Sequence, residues 1–372
     1  MKVMTIVGTR PEIIKLSCVI PELDRVFRHV LVHTGQNYDY ELNQIFFDGL
    51  GLRRPDRFLQ AAAASAAQTI ANVIARCDAA LAADKPDAVL VLGDTNSSLA
   101  AIAAKRRKIP IFHMEAGNRS FDERVPEEVN RRIVDHVSDI NLVYTEHARR
   151  HLLAEGIRAE TIIKTGSPMK QVLAAQARQI EKSQVLKKMG VKKQKYFAVS
   201  LHREENVDDR SRFTRLLDAL SELKKRYKLP VIVSTHPRTR KRLEALGKKA
   251  PKGLQFIPPL AFADYISLQR SALCVLSDSG TLTEEASLIG FVGVMLREAH
   301  ERPEGMDQGT LIMAGTRPER ILAAVQVATQ RFTRSGRTWR VAPDYDVDDV
   351  ASIVVNAILG YTDYVNRTVW RK

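Results

Sequence analysis

The stretch Val3-Met4-Thr5-Ile6-Val7-Gly8-Thr9-Arg10-Pro11-Glu12, followed by Ile13, Ile14, Leu16 and Ile20, reads as a strand turning directly into a helix. Val3–Val7 is a short run rich in β-branched residues, and the later isoleucines and Leu16 recur at helical spacing. Thr9 with Glu12 three residues on predicts a capping box. Pro11 stands near the helix start, where its missing N–H costs nothing. The same five letters recur at Gly315-Thr316-Arg317-Pro318-Glu319, where no other site signal accompanies them. The pentad alone is therefore also a plain helix opening. The first copy adds Arg10 and Lys15 around a helix N-terminus, a setting that suits an anion.

Outward from this unit the alternation continues. Strands are predicted at Val30–His33, Ala88–Leu92, Ile109–Met114, Asn141–Tyr144 and Thr161–Lys164, ending before Gly166-Ser167-Pro168. Ile70, Val73, Ile74, Cys77 and Leu81 form one apolar stripe of a long helix. A Lys- and Gln-rich helical stretch follows over residues 170–195. Then the pattern restarts, with strands at Phe197–Leu201, Val231–Thr235, Leu254–Ile257, Cys274–Ser277 and Val292–Leu296 and a helix near Arg212–Tyr227. Such alternation implies parallel sheets covered by helices on both faces. Two series imply two doubly wound α/β domains meeting near residues 166–195. Ligands of such sheets bind beyond the carboxyl ends of the strands, so an interdomain cleft is expected.

Composition sets outer bounds. A chain of 372 residues fits about two domains at ~100–200 residues each. With 45% hydrophobic and 27% charged residues it is neither disordered nor fibrous. No run approaches the ~18 apolar residues of a membrane span, and the N-terminal apolar run is too short for a signal peptide. Three scattered cysteines give neither a disulfide framework nor a Cys-rich zinc site, which fits a cytoplasmic chain. The formal charge of +14 attracts anions. With 6% aromatics and no basic stretch interleaved with them, nucleic acid is not an expected partner.

The strand ends carry the chemistry. They read Gly8-Thr9-Arg10-Pro11-Glu12, His33-Thr34-Gly35-Gln36, Gly93-Asp94-Thr95-Asn96, His113-Met114-Glu115-Ala116-Gly117, His202-Arg203-Glu204-Glu205-Asn206, Thr235-His236-Pro237-Arg238 and Ser277-Asp278-Ser279-Gly280-Thr281. One polar strand end is a wet loop. Seven at edges that should converge point to an active site. Ser279-Gly280-Thr281 opens a helix with Glu284 and Glu285 in its first turn. That suits a phosphate and a ribose diol, and equally a plain cap. Asp94, Glu115, Glu127 and His202 are the acid–base candidates. Glu127 also fits an exposed first helical turn, and His236 a buried structural histidine. No GxGxxG follows either opening strand and no metal-ligand spacing appears, so neither a nicotinamide cofactor nor a metal is expected.

Taken as an ordered set, these strings resemble the non-hydrolysing UDP-N-acetylglucosamine 2-epimerase family. Pro126-Glu127-Glu128-Val129-Asn130-Arg131 and Glu301-Arg302-Pro303-Glu304 add to the match, which runs over almost the whole chain. The resemblance implies a glycosyltransferase-B-like fold of two Rossmann-like domains. The first would span residues 1–167 and carry the carboxylates, and the second 168–350 and bind UDP. A C-terminal helical segment, 351–372, would pack back on the first. It also implies a homodimer without a cofactor, interconverting UDP-GlcNAc and UDP-ManNAc by elimination of UDP to a 2-acetamidoglucal and re-addition. Asp94, Glu115 and Glu127 match the family's catalytic carboxylates and His202 its essential histidine. Arg10, Lys15, Arg131, His236 and Arg302 match phosphate or sugar contacts. Ser279, Gly280 and Thr281 match the diphosphate loop, Glu285 the ribose ligand, and Tyr265 an aromatic near the uracil.

Asn37-Tyr38-Asp39-Tyr40 and the stretch 60–68 depart from the family pattern, in regions serving its regulatory binding of a second UDP-sugar. Asn118–Arg124 and Tyr361-Thr362-Asp363-Tyr364 look more like a subgroup acting on UDP-2-acetamido-2,6-dideoxy-L-talose to give UDP-N-acetyl-L-fucosamine. Competing readings are a glycosyltransferase of the same fold, a hydrolysing epimerase, and a polyanion-binding protein suggested by charge alone.

Overall fold

The structure is a computed structural model that describes residues 1–36, 47–235, 237–245, 253–337 and 339–372. It divides into two compact units, Met1–Ala175 with Pro343–Lys372, and Gln176–Ala342.

The first unit is built on seven parallel strands: β1 (Lys2–Val7), β2 (Arg28–His33), β3 (Arg57–Phe58), β4 (Ala88–Leu92), β5 (Ile111–Ala116), β6 (Ile140–Val143) and β7 (Ile162–Lys164). Their order is β3-β2-β1-β4-β5-β6-β7. The second unit repeats the plan with β8 (Phe197–Leu201), β9 (Val231–Thr235), β10 (Leu254–Ile257), β11 (Cys274–Ser277), β12 (Gly293–Met295) and β13 (Leu311–Met313), ordered β10-β9-β8-β11-β12-β13. Both are Rossmann-like orders, reversing direction between β1 and β4 and between β8 and β11. The crevice at such a reversal, beyond the strand carboxyl ends, is where α/β sheets take ligands.

The inner strands are covered on both faces, so every residue of β4 is buried and the strand reads as continuous apolar sequence. Against one face of the first sheet lies the helix Ala66–Asp84. Val73, Cys77 and Leu81 of its stripe pack with Ala80 on Met4, Ile6, Val89 and Val91, while Ile70 and Ile74 are half-buried at the rim. Ser65 caps it by accepting the Gln68 N–H at 3.1 Å, and Lys85 ends it in the left-handed conformation. Each fully buried Val or Leu of this kind contributes ~1.5–3 kcal/mol. In the second unit Phe213, Leu216, Leu217, Leu220 and Leu223 of the helix Arg210–Tyr227 do the same for Phe197, Val199, Val231 and Val233.

Three differences from the sequence reading have physical reasons. β3 and β13, of two and three residues, are too short to show a period. The stretch 170–195 is three short helices, Met169–Ala175, Ala177–Lys182 and Val185–Met189. The chain leaves the first unit after Ala175 and returns at Pro343, where the sequence placed 167/168 and 350/351. Polar contacts explain the shift. Lys170 reaches Asp346 and Asp348 at 2.6 Å each, Gln171 donates to Asp349 at 3.2 Å, and the Ser167 N–H donates to the Asp344 carbonyl at 3.1 Å. The helix Val350–Val365 then packs on the helix Val19–Val26, burying Val354, Val355 and Ile358. Among the described residues no helix is long and apolar enough to cross a membrane.

Candidate active site

In the first unit the reversal brings the loop after β1 beside the loop after β4. Gly8 is required there, because a Cβ would lie 1.9 Å from Ser97 Oγ and 2.2 Å from Thr34 Oγ1. Glu12, buried in the helix Arg10–Leu16, ties the two loops together. It accepts the Gly8 N–H at 3.0 Å, the Thr9 hydroxyl at 2.7 Å and the Thr95 hydroxyl at 3.1 Å. This corrects the expected capping box, since the Thr9 side chain donates to Glu12 and caps no backbone N–H. Burial pushes the Glu12 carboxyl up to about 7, against the pull of these donors. The second copy of the pentad is different. There Arg317 is the N-cap, Thr316 donates to Glu298 at 3.1 Å, and Glu319 is exposed.

Lys15, on the same short helix, is buried and forms an ion pair with Glu115, its Nζ lying 5.7 Å from the centre of the Tyr144 ring. Glu115 sits on a bulge. The β5–β6 register skips from Met114 to Ala116, and Glu115 itself has φ +61°, followed by Gly117 at +80°. A non-glycine residue held left-handed at a bulge is a strained, re-aimed side chain, and such strain concentrates at functional sites.

A buried polar network fixes this bulge from behind. Asp135 accepts the Gly117 N–H at 3.1 Å, faces His113 Nδ1 at 2.9 Å and takes an Arg119 N–H at 2.6 Å. His113 Nε2 reaches the Gly93 carbonyl at 2.8 Å, and Arg119 forks onto Glu155 at 2.7 and 2.6 Å. Burial alone would raise the Asp135 carboxyl. The His113 and Arg119 contacts outweigh it and hold the group below the usual carboxylate range.

Asp94, after β4, is the second held acid. Arg131 of the helix Pro126–Val137 donates to its Oδ2 from Nε at 3.0 Å and from Nη2 at 2.5 Å. The third nitrogen of Arg131 donates to Glu128 at 3.0 Å. Glu128 is wholly buried and also accepts the Ser120 and Phe121 N–H groups at 2.9 and 3.1 Å, so it anchors the preceding loop. Asn130 donates to the Asp94 carbonyl at 3.0 Å. Glu127, in the first turn of this helix, and Arg10 are half-buried.

In the second unit His202 directly follows β8 and Asp278 directly follows β11. His202 Nδ1 lies 3.0 Å from Asp278 Oδ1. Ser279, Gly280 and Thr281 lead into the helix Leu282–Ile289, with the Ser279 and Thr281 hydroxyls 3.0 Å apart. A Cβ on Gly280 would lie 2.5 Å from Glu301 Oε1. Glu301 in turn pairs with Arg297 at 2.8 Å, and Arg302 with Glu284 at 2.8 Å. Glu285 is buried and accepts from Gln269 at 2.7 Å. Tyr265 is half-buried on the helix Phe262–Ser271. His236 and Asn37-Tyr38-Asp39-Tyr40 lie outside the described residues.

A family model described as UDP-N-acetylglucosamine 2-epimerase matches residues 22–359, spanning both units. The chain belongs to that family. It is 36% identical to the UDP-N-acetylglucosamine 2-epimerase of Methanococcus maripaludis, over 96% of this chain and 98% of the relative. It is also 36% identical to the UDP-2,3-diacetamido-2,3-dideoxy-D-glucuronate 2-epimerase of Pseudomonas aeruginosa, over 88% and 92%. Among solved structures, the UDP-N-acetylglucosamine 2-epimerase of Rickettsia bellii superposes with a TM-score of 0.94 at 53% identity, each chain covered in full.

For this epimerase, an isomerase with a glycosyltransferase-B-like fold, the residues singled out in the sequence group as follows. Lys15 joins Glu115, and Arg131 joins Asp94, in the first unit. His202 lies beside the loop Ser279–Thr281 in the second. Glu128, Asp135, Arg119 and Asp278 received no role from sequence, and Glu12 received only that of a helix cap. Each is an acid or base whose partner lies on another element, except Glu128, which looks like one more charge in a charge-dense helix start.

Proposed function

We propose that the chain inverts C2 of a UDP-N-acetylhexosamine reversibly, UDP-GlcNAc to UDP-ManNAc, by eliminating UDP and adding it back. In the forward half the C1–O bond breaks and its electron pair leaves with UDP, while the C2 proton goes to a carboxylate, giving the 2-acetamidoglucal. In the return half UDP re-adds at C1 and a proton arrives at C2 from the opposite face. The C2 hydrogen is not acidic by itself. Departure of UDP first develops an oxocarbenium-like centre, which carboxylates stabilise and beside which C2–H becomes removable.

Asp94, Glu115 and Glu127 are the acids of this scheme. Lys15 and Arg131 hold the first two, leaving the Asp94 side chain 25% and the Glu115 side chain 11% exposed. That pairing of two acids with two buried cations at the carboxyl ends of the adjacent strands β4 and β5 is the observation that carries the proposal. Ser279, Gly280, Thr281, Arg10 and Arg302 serve the diphosphate, Glu285 the ribose and Tyr265 the uracil, while His202 joins the catalytic groups and meets the diphosphate as it leaves. A homodimer supplying precursors for surface polysaccharide completes the reading.

The test is proton NMR with UDP-GlcNAc in D₂O. Deuterium at C2 with the UDP-sugar retained is expected. Free sugar with accumulating UDP would mean hydrolysis, and turnover only with an added acceptor would mean transfer. The Pseudomonas relative acts, by its name, on a differently substituted sugar at equal identity. The same assay with the diacetamido-glucuronate and the 6-deoxy-L-talose nucleotides therefore decides which sugar is preferred.

A further inference from the structure

Asp278 is buried at the reversal of the second sheet and is surrounded by donors from the loop after β8. The N–H groups of His202 and Arg203 each reach its carboxylate at 3.1 Å, and the Asn206 amide does so at 3.2 Å. Asn206 is itself pinned by donating to the Leu296 carbonyl at 2.9 Å. The last partner is His202 Nδ1 at 3.0 Å, on a ring whose side chain is 38% exposed while Asp278 has no exposure at all. Burial by itself would raise the carboxyl. The His202 ring and the N–H donors win, and Asp278 stays below the usual carboxylate range. The next three residues, Ser279, Gly280 and Thr281, begin the helix opening assigned to the diphosphate.

We propose that Asp278 is a positioning residue that acts through His202. It takes Nδ1, fixes the ring plane, and leaves Nε2 as the one nitrogen available to the anionic diphosphate of the leaving nucleotide. An unrestrained imidazole has two ring flips and two neutral tautomers, and one of each turns a lone pair toward an anion, which repels it. A carboxylate on Nδ1 fixes the ring flip and takes the Nδ1 proton, so a neutral ring would face the anion with its Nε2 lone pair; Nε2–H donates to the diphosphate only in the imidazolium, whose charge the same carboxylate balances. The backbone bonds to 202 and 203 add register, because the loop bearing the histidine is held to the residue that precedes the phosphate loop. This inference rests on the epimerase reading, since His202 has a diphosphate to meet only there.

The experiment is a double-mutant cycle together with side-chain NMR. Asp278→Asn keeps the volume and an acceptor oxygen but removes the charge. It is expected to lower kcat/KM by roughly ten- to a hundredfold, as lost support of an acting histidine does. In a His202→Asn background the same change should cost less than about twofold, since a residue acting through the ring has nothing left to act on. Additive losses would overturn the proposal, because a merely structural role adds. Long-range ¹H–¹⁵N spectra of the ligand-free wild type, with the His202 signal assigned by its loss in His202→Asn, give a reading that needs no folded Asp278 variant. Neutral His202 is expected to carry its proton on Nδ1. A proton on Nε2 instead would overturn the proposal. Should the wild type leave C2 of every UDP-sugar unexchanged, the epimerase reading fails, while the tautomer still reports on the pair.

Discussion

Arg131 grips Asp94 with two nitrogens, at 3.0 and 2.5 Å to the same carboxylate oxygen, and keeps its third for the wholly buried Glu128. Among the described residues the second Asp94 oxygen accepts no side-chain hydrogen bond, and the proposed function gives it to the substrate. Asp94→Asn keeps the shape and removes the charge. Turnover should fall ~10²-fold or more while UDP still binds, because a positioned acid or base contributes about that much. Single-turnover rates and UDP titration by calorimetry separate the two effects. Unchanged turnover would remove Asp94 from the chemistry.

The bulge makes a prediction about geometry. Gly117 has φ +80°, and a Cβ there would lie 2.5 Å from the Ala148 carbonyl oxygen, which is backbone and cannot swing aside. Gly117→Ala should therefore shift residues 115–117, losing ~1–3 kcal/mol of stability from strain alone. Activity should fall further than stability, because Glu115 rides on the same bulge. Thermal melts and kcat on the folded fraction test this, and full activity in a destabilised variant would show that Glu115 needs no such precise aim.

How far the sequence can be read is visible in these same residues. β4, β8, β9, β10 and β11 have the bounds their apolar runs predict, because runs flanked by turn residues leave little freedom. Asp94, Glu115 and His202 were legible because each ends such a run. Lys15 and Arg131 were legible as cations, but their partners were not. Lys15 and Glu115 are 100 residues apart, and only the order β1-β4-β5 brings them together. Asp135 was silent for another reason. It lies in a helix dense in charge, where one buried acid looks like its solvated neighbours. The pentad shows the limit most clearly, since Glu12 is buried and Glu319 exposed in the same five letters.

The network behind the bulge should be costly to break. Arg119 is buried and shared by Asp135 and Glu155, so Arg119→Met leaves Asp135 short of a cation. Removing one partner of a buried pair costs ~3–5 kcal/mol. Because Asp135 is held below its ordinary value, the stability it gives is present above the unfolded carboxylate range and is lost as pH falls through the folded value. Urea melts should show a wild type that weakens on acidification and an Arg119→Met variant with a smaller acid-side slope. An equal slope would place the acid sensitivity elsewhere.

Glu12 has the opposite sign. Its folded pKa is raised to about 7 from an ordinary 4.5, since burial outweighs the neutral donors of Gly8, Thr9 and Thr95. Between those values the native state holds a proton that the unfolded chain has released. Stability is therefore full below the lower value and declines as pH rises toward the upper one. At ~1.4 kcal/mol per unit the total is about 3 kcal/mol. Glu12→Gln keeps an acceptor for the Gly8 N–H and the Thr9 hydroxyl and cannot ionise. His33, whose folded value burial lowers to about 4, adds stability over part of the same range in both proteins, so the readout is the difference: the variant's melting temperature minus the wild type's should grow from pH 5 to 8 and be smallest at the acid end. The same variant also separates fold from chemistry. If Glu12 serves only to join the loops after β1 and β4, UDP-sugar turnover at pH 6 should stay within a few-fold of wild type. A difference between the two melting temperatures that holds constant across this range would show that Glu12 titrates alike in the folded and unfolded chain.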